Sequence, residues 1–486
     1  MLAVLLIVFP LLVSFLLFLT KGSSGKTIAL AATIIEFIFG VSAYLVFKHN
    51  PDSALLSYNC MWVEALNIHF AIEINALSLL MVLLTTFLLP LIILSSFNNS
   101  DNHPSNFYAL ILMMQMALIG VFAANDGFLF YVFWELALIP IYFICLLWGG
   151  NNRGAITFKF FVYTLIGSLF MLIGLIYLYN HTNVEGHKSW AVLDLYSAGQ
   201  SLNAAQQGAV FWLIFIAFAI KMPVFPWHTW QPDTYVVAPT QGTMLLSGIM
   251  LKMGTFGLIK WLLPIVPLGL QAWGGTAITL SVIGIIYASI IAISQKDYKR
   301  LIAYSSIAHV GLIAAGILAA NQQGIQGGLM QMLAHGVNVV GLFFIADILV
   351  RHTGTREIDK LGGIRSMNGN FAVLFLIVVL GAVALPLTNG FVGEFLLING
   401  VYQYSALTAA FAGLTIILGA VYMLRSYQNI MLGEKRDSSL AFGPLHTNDK
   451  IVLIIICMAI IAFGVYPKPL NDIAEQGTKS IMALMK

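Results

Sequence analysis

Ile216–Asp233 reads IAFAIKMPVFPWHTWQPD: an apolar run that ends on Lys221, with Pro223 and Pro226 following at once. Proline lacks a backbone donor and its ring clashes with the preceding turn, so a helix must break or bend there. The break leaves carbonyls free to hold water. Irregular backbone at membrane depth is tolerated only inside protein or beside a water-filled cavity. A lysine just before such a break has both the need for hydration and the means to obtain it. Three further stretches share the pattern of a charge within apolar sequence. Leu129–Phe143 (LFYVFWELALIPIYF) holds Glu135, with Pro140 five residues later. Met244–Trp261 (MLLSGIMLKMGTFGLIKW) holds Lys252. Leu385–Gly400 (LPLTNGFVGEFLLING) holds Glu394 beside Pro386, Asn389, Gly390 and Gly393, which predict a second interrupted helix.

These charges lie in a chain that cannot be an ordinary soluble protein. Of 486 residues, 59% are hydrophobic and 9% charged, and the mean hydropathy is +0.90. Soluble domains carry about 25% charged residues. A spanning helix needs about 20 mainly apolar residues. By that measure about fourteen segments lie near 1–20, 27–47, 74–96, 107–124, 127–148, 160–179, 208–225, 241–263, 274–295, 301–319, 326–350, 371–398, 405–432 and 450–466. The fold class is therefore an all-α polytopic membrane protein. Met1–Thr20 lacks a basic leader and a small-residue cleavage site, so it reads as a retained first helix. The net charge of +3 contains no basic tract to suggest nucleic acid. Cys60, Cys145 and Cys457 are scattered without metal-ligand spacing,. No Walker A motif, dinucleotide-binding glycine pattern, flavin site or haem or iron–sulfur ligand set is present.

Loop charges set the orientation, because cytoplasmic loops carry an excess of lysine and arginine. Odd-numbered loops hold fifteen basic residues, Lys21, Lys296, Lys299 and Arg300 among them. The opposite side holds six, Lys48, Lys188, Lys260, Lys468, Lys479 and Lys486. Both termini are expected to face away from the cytoplasm. Lys221 and Lys252 belong to neither face and sit mid-membrane.

Spacing predicts an internal repeat. Glu135 to Lys221 and His309 to Glu394 are near-equal separations, and Pro223 and Pro386 lie about five helices apart. A repeat of an odd number of helices inserts upside down relative to its partner, and paired interruptions point to inverted repeats. The expected division is residues 1–106 (helices 1–3), 107–263 (helices 4–8), 274–432 (helices 9–13) and 433–486, the last helix and a C-terminal tail.

Each candidate has a bland reading. Glu135 and Lys221 could be an ion pair that merely fixes packing, but buried pairs are poor stabilisers once desolvation is counted. Lys252 is too deep to snorkel, with about ten apolar residues on either side. Glu394 could cap its broken helix while relaying protons. His309, in DYKRLIAYSSIAHVG, and His335, in QMLAHGVNVVGLFFIADIL, are each compatible with a satisfied core residue. Asp297, Lys299 and Arg300 read as an interfacial anchor, and Trp227, Trp230 and Trp261 as an aromatic belt. His228 and Asp233 flank the first break as candidates for an exit path.

The stretches FWELALIP, AIKMPVFPWHTWQPD, VVAPTQGTMLLSGIMLKMG, DYKRLIAYSSIAHVG and LPLTNGFVGEFLL resemble the proton-translocating antiporter-like family, from about residue 74 to 450. That family holds the three large membrane-arm subunits of respiratory complex I and the Mrp sodium/proton antiporter subunits. The resemblance implies fourteen core helices with two inverted five-helix repeats. Glutamate at position 394, where other branches generally carry lysine, resembles the M-type branch. It further implies Glu135 and Lys221 as an input pair, Lys252 and His309 as a central link, His335 as a polar position on the axis, and Glu394 as the exit. Gln231 replaces a usual leucine, and Tyr235 stands where a histidine is common, which weakens a relay through that loop. NADH, FMN, iron–sulfur clusters and quinone are implied in partner subunits, with no cofactor on this chain. The L- and N-type neighbours and membrane lipid are the implied partners, and a bacterial inner membrane with periplasmic termini the implied location.

The implied function is proton translocation within an NADH:quinone oxidoreductase, an enzyme whose redox sites lie elsewhere. Burial disfavours a charged lysine and a nearby carboxylate favours it, so motion of Glu135 relative to Lys221 would switch the proton on and off. The alternatives are a sodium/proton antiporter, an antiporter-like subunit of a membrane-bound hydrogenase, and a non-pumping scaffold.

Overall fold

The computed structural model describes residues 1–20, 24–98 and 104–485. Lys21 and Lys486, two of the basic residues used for the orientation, lie outside them. Thirteen described helices are long and apolar enough to span a membrane. The remaining expected segment, the twelfth, is divided: Gly369–Ala382 and Asn389–Tyr404 flank an interruption at residues 383–388 that contains Pro386. With that division, every expected segment has its counterpart, from Leu2–Leu19 to Thr447–Val465.

The helices are arranged from lipid-like exterior to enclosed centre. Leu2–Leu19, Gly25–His49, Arg153–His181 and Ala406–Met431 leave most of their apolar surface outward, as helices facing hydrocarbon should,. Thr240–Leu262 is buried throughout, and Ser105–Ala123, Tyr298–Leu318 and Gln322–Thr353 nearly so. These four carry Lys252, His309 and His335. No side chain on the Thr240–Leu262 span can therefore reach lipid or headgroups by snorkelling.

Elements outside the bundle gather on the face of the chain termini. An antiparallel hairpin pairs Ser57–Val63 with Ile68–Glu73, Ser57 opposite Glu73. The expected C-terminal tail is instead a helix, Lys468–Leu484. Its buried Ile473, Gly477 and Ile481 recur every fourth residue, which gives it one apolar face,. That helix packs on Ala76–Ser95 and Gln322–Thr353.

The opposite face is tied by ion pairs. Arg351 contacts Asp347 at 2.8 Å and Asp449 at 2.9 Å, and Arg356 contacts Asp297 at 2.5 Å. Asp233 receives Arg300 at 3.1 Å and Lys159 at 3.7 Å, so it anchors a surface network. Lys299, expected in a loop, is buried and donates to the Ala238 carbonyl at 2.7 Å. The tryptophans depart from a belt as well. Trp261 is fully buried and stacked on Phe130 at 4.5 Å, and buried Trp230 donates to the Ile220 carbonyl at 2.9 Å. A residue near a helix end by sequence becomes core when neighbouring helices extend past it.

Candidate functional site

Lys221 is the last residue of Ala204–Lys221, as the prolines require. Beyond it the Val224 amide reaches back to Ala219, and the Trp230 indole satisfies the Ile220 carbonyl. The lysine is buried, its ammonium 5.3 Å from the centre of the Trp134 ring. Glu135 follows Trp134 in sequence, two residues before a turn at Ala137 that divides Gly127–Leu136 from Leu138–Trp148. The two charges sense each other and Ser168 neighbours the carboxylate. They do not touch. Among the described residues, no hydrogen-bond partner reaches Lys221 Nζ or Glu135 Oε1, and no ion pair joins them within 4.0 Å.

Lys252 is held differently. Its span is not a regular α-helix: wide i→i+5 turns occupy Leu246–Met250 and Leu258–Leu262, on either side of Lys252–Gly257. Such turns release carbonyls from the helical ladder and concentrate at functional positions. Lys252 Nζ donates to the Ser247 carbonyl at 2.7 Å and lies 2.8 Å from His335 Nδ1. With Nδ1 accepting, the ring hydrogen on Nε2 points to Ser306 Oγ at 3.1 Å,. The His335 and His309 rings are 6.0 Å apart. His309 Nδ1 stands 2.9 Å from Glu394 Oε1, which also accepts from Gln331 Nε2 at 3.0 Å. Ser305, Ser306, His309, Gln331, His335 and Asn338 line a cavity of about 20 Å³, room for about one water.

The structure thus brings Lys252, His335, His309 and Glu394 into one buried line, and leaves Glu135 and Lys221 as a separate pair. His335, not His309, is the partner of Lys252. Two glycines allow the close approaches. A Cβ on Gly254 would lie 2.8 Å from the Phe218 carbonyl and 2.9 Å from Met222, which sets the Lys252 helix against the first break. A Cβ on Gly393 would lie 2.7 Å from the Gln331 backbone nitrogen, which seats Glu394 beside its partner.

Sequence reading missed Gln331, Ser306 and Asn338. The signal was present: Gln331, His335 and Asn338 are spaced i, i+4, i+7, one face of a helix. Lys260, counted among loop residues, is buried and donates to the Ala124 carbonyl at 2.6 Å. His228 is buried against Phe225 and Tyr287. Among the described residues, no group of three His, Cys, Asp or Glu side chains is placed to hold a metal ion.

A bundle of this size, with charges enclosed at its centre beside broken helices, defines a membrane transport protein. A family model described as NADH:quinone oxidoreductase/Mrp antiporter, transmembrane, matches residues 124–419, and the chain belongs to that family. It is 36% identical over 456 residues to the NADH-quinone oxidoreductase subunit M of Rickettsia typhi, covering 94% of this chain and 91% of that protein. Against the subunit M of Rhodobacter capsulatus it is 36% identical over 459 residues, covering 93% and 89%. A chain of the respiratory complex I from Thermus thermophilus superposes over 100% of both chains, with a TM-score of 0.90 and 28% identity. A chain of the Mrp complex from a Dietzia species shares the fold, with a TM-score of 0.85 at 17% identity over 100% of this chain and 99% of that one.

Proposed function

We propose that this chain is the M-type, proton-translocating membrane-arm subunit of an NADH:quinone oxidoreductase. The observation that carries this reading is the buried line from Lys252 through His335 and His309 to Glu394, with one 6.0 Å step between the two imidazole rings. Every member is a group that can bind and release a proton, and the four come from four different helices. Glu135 and Lys221 load the line; Glu394 delivers the proton at the second break. Redox chemistry in partner subunits, which carry NADH, FMN, iron–sulfur clusters and quinone, drives the first pair. The L- and N-type chains and lipid surround it. Lys221 ends the helix before the first break and Ala382 the helix before the second. That placement supports residues 107–263 and 274–432 as inverted five-helix units. The bacterial inner membrane, with both termini periplasmic, is the location that fits the basic loops.

The decisive test is Glu394→Gln, an amide of similar shape that cannot carry a proton. NADH-driven proton uptake into vesicles, normalised to assembled complex, is expected to fall about a hundredfold, within the range a positioned proton-transfer group contributes. Wild-type pumping by an assembled variant removes Glu394 from the path. Orientation is tested by impermeant thiol reagents on intact cells. Native Cys60 is exposed on the terminus face and should react. Lys296→Cys, at a side chain 80% exposed on the other face, should resist.

A further inference from the structure

A second buried lysine lies outside the line just described. Lys260 occupies the second wide turn of its span, eight residues beyond Lys252, its ammonium 5.9 Å from the centre of the Phe256 ring. Phe256 in turn meets Phe122 edge-to-face at 5.2 Å, so one side of the ammonium is apolar. On its other side Lys260 forms the floor of a pocket of about 320 Å³. Asp52, Leu193, Gln476 and Ser480 are exposed at the rim, while Lys260, Tyr196 and Ala76 are buried at the base. Every rim element belongs to the terminus face, where the hairpin, the loops and the Lys468–Leu484 helix meet.

The base is polar where the bundle is otherwise apolar. Glu73, whose charge attracts Lys260, accepts from Asn125 at 2.9 Å. The Tyr196 hydroxyl donates to the Lys260 carbonyl at 2.6 Å. The ammonium uses one protein acceptor, the Ala124 carbonyl, of the three its hydrogens can serve,. The pocket has room for many waters beside its polar groups Asp52, Glu73, Asn125 and Lys260, since one water needs only about 10–15 Å³.

We propose that this pocket is an aqueous vestibule on the terminus face, through which Lys260 exchanges protons with the outer solution. The proton balance is simple: Lys260 Nζ takes a proton from the Lys252 side of the bundle and gives it to pocket water beside Glu73, whereas exchange with that water alone moves no net proton. The transport part rests on the proton-translocating reading above; the water access does not.

The test uses assembled complex in membrane vesicles. In a Cys60→Ser background, Lys260→Cys and, separately, Ala76→Cys are exposed to 2-aminoethyl methanethiosulfonate. Leu262→Cys, at a fully buried apolar position, serves as the control. Reaction at either pocket position, from the side on which wild-type Cys60 reacts and at least about tenfold faster than at Leu262→Cys, is the expected result. Inertness of both pocket positions in assembled variants overturns the vestibule. Lys260→Arg keeps the charge but does not release its proton. Its proton uptake per NADH should fall at least about twofold, whereas wild-type uptake overturns proton exchange at Lys260. If Glu394→Gln pumps normally the transport reading fails, and the labelling still decides whether water reaches Lys260.

Discussion

The two charged regions at the centre of the bundle differ in how completely they are connected. From Lys252 to Glu394, side chains from four helices meet at hydrogen-bond distance, with only the 6.0 Å gap between imidazole rings to bridge. At the other end Lys221 lies over the Trp134 ring, and no hydrogen bond or ion pair joins it to Glu135. Lys221 is as buried as the members of the line, although Glu135 is half-buried, and both regions stand beside broken helices. The difference teaches that burial alone does not dictate pairing. On the proposed reading, a line that passes protons keeps its members close, whereas a pair that switches is held apart, so that a small motion changes the interaction strongly. In a low-dielectric site, attraction between opposite charges rises steeply as they approach.

The largest effect that breaks this comparison is expected from Lys221→Arg. A static pair with Glu135 tolerates a second cation, but arginine does not release its proton inside a protein. Proton uptake on adding NADH should fall about a hundredfold at unchanged assembly. An arginine variant that pumps like wild type makes Lys221 an electrostatic fixture and places all proton transfer in the connected region. Lys221→Ala disrupts both arrangements and does not discriminate.

Smaller effects separate the regions by their joints. Gly254→Val forces a side chain into the Phe218 carbonyl and Met222, and Gly393→Val into the Gln331 backbone. Each overpacks a closed contact, at a cost of about 1–3 kcal/mol. Thermal stability of the purified complex should drop for both. Only Gly393→Val should also displace Glu394 from Gln331, and so lower pumping in the complex that survives. Equal loss of pumping in both would show that the two regions respond as one rigid body. The smallest effect belongs to Ser306→Ala, which removes a single hydrogen bond to His335. A net contribution of about 0.5–1.5 kcal/mol predicts a reduction of about tenfold at most. A collapse of proton uptake would mean that the serine hydroxyl itself carries the proton.

The sequence by itself determined that the chain spans a membrane, where its segments lie, and which helices break. Apolar length and proline chemistry are local properties, and no tertiary contact can supply a backbone donor that Pro223 or Pro386 lacks. It also marked Glu135, Lys221, Lys252 and Glu394, because a charge within apolar sequence is visible in one dimension. Contact order was left to the tertiary structure. That His335 rather than His309 meets Lys252 depends on how two enclosed helices are rotated about their axes. The wide turns around Lys252 have no sequence signature comparable to proline, since they arise when a helix is fitted into a fully buried slot. Lys260, Lys299 and Trp261 lie near helix ends by counting, yet all three are core, because exposure depends on neighbouring elements. Those neighbours are other spans, the terminus-face hairpin and a C-terminal helix, and they are brought together by packing across hundreds of residues.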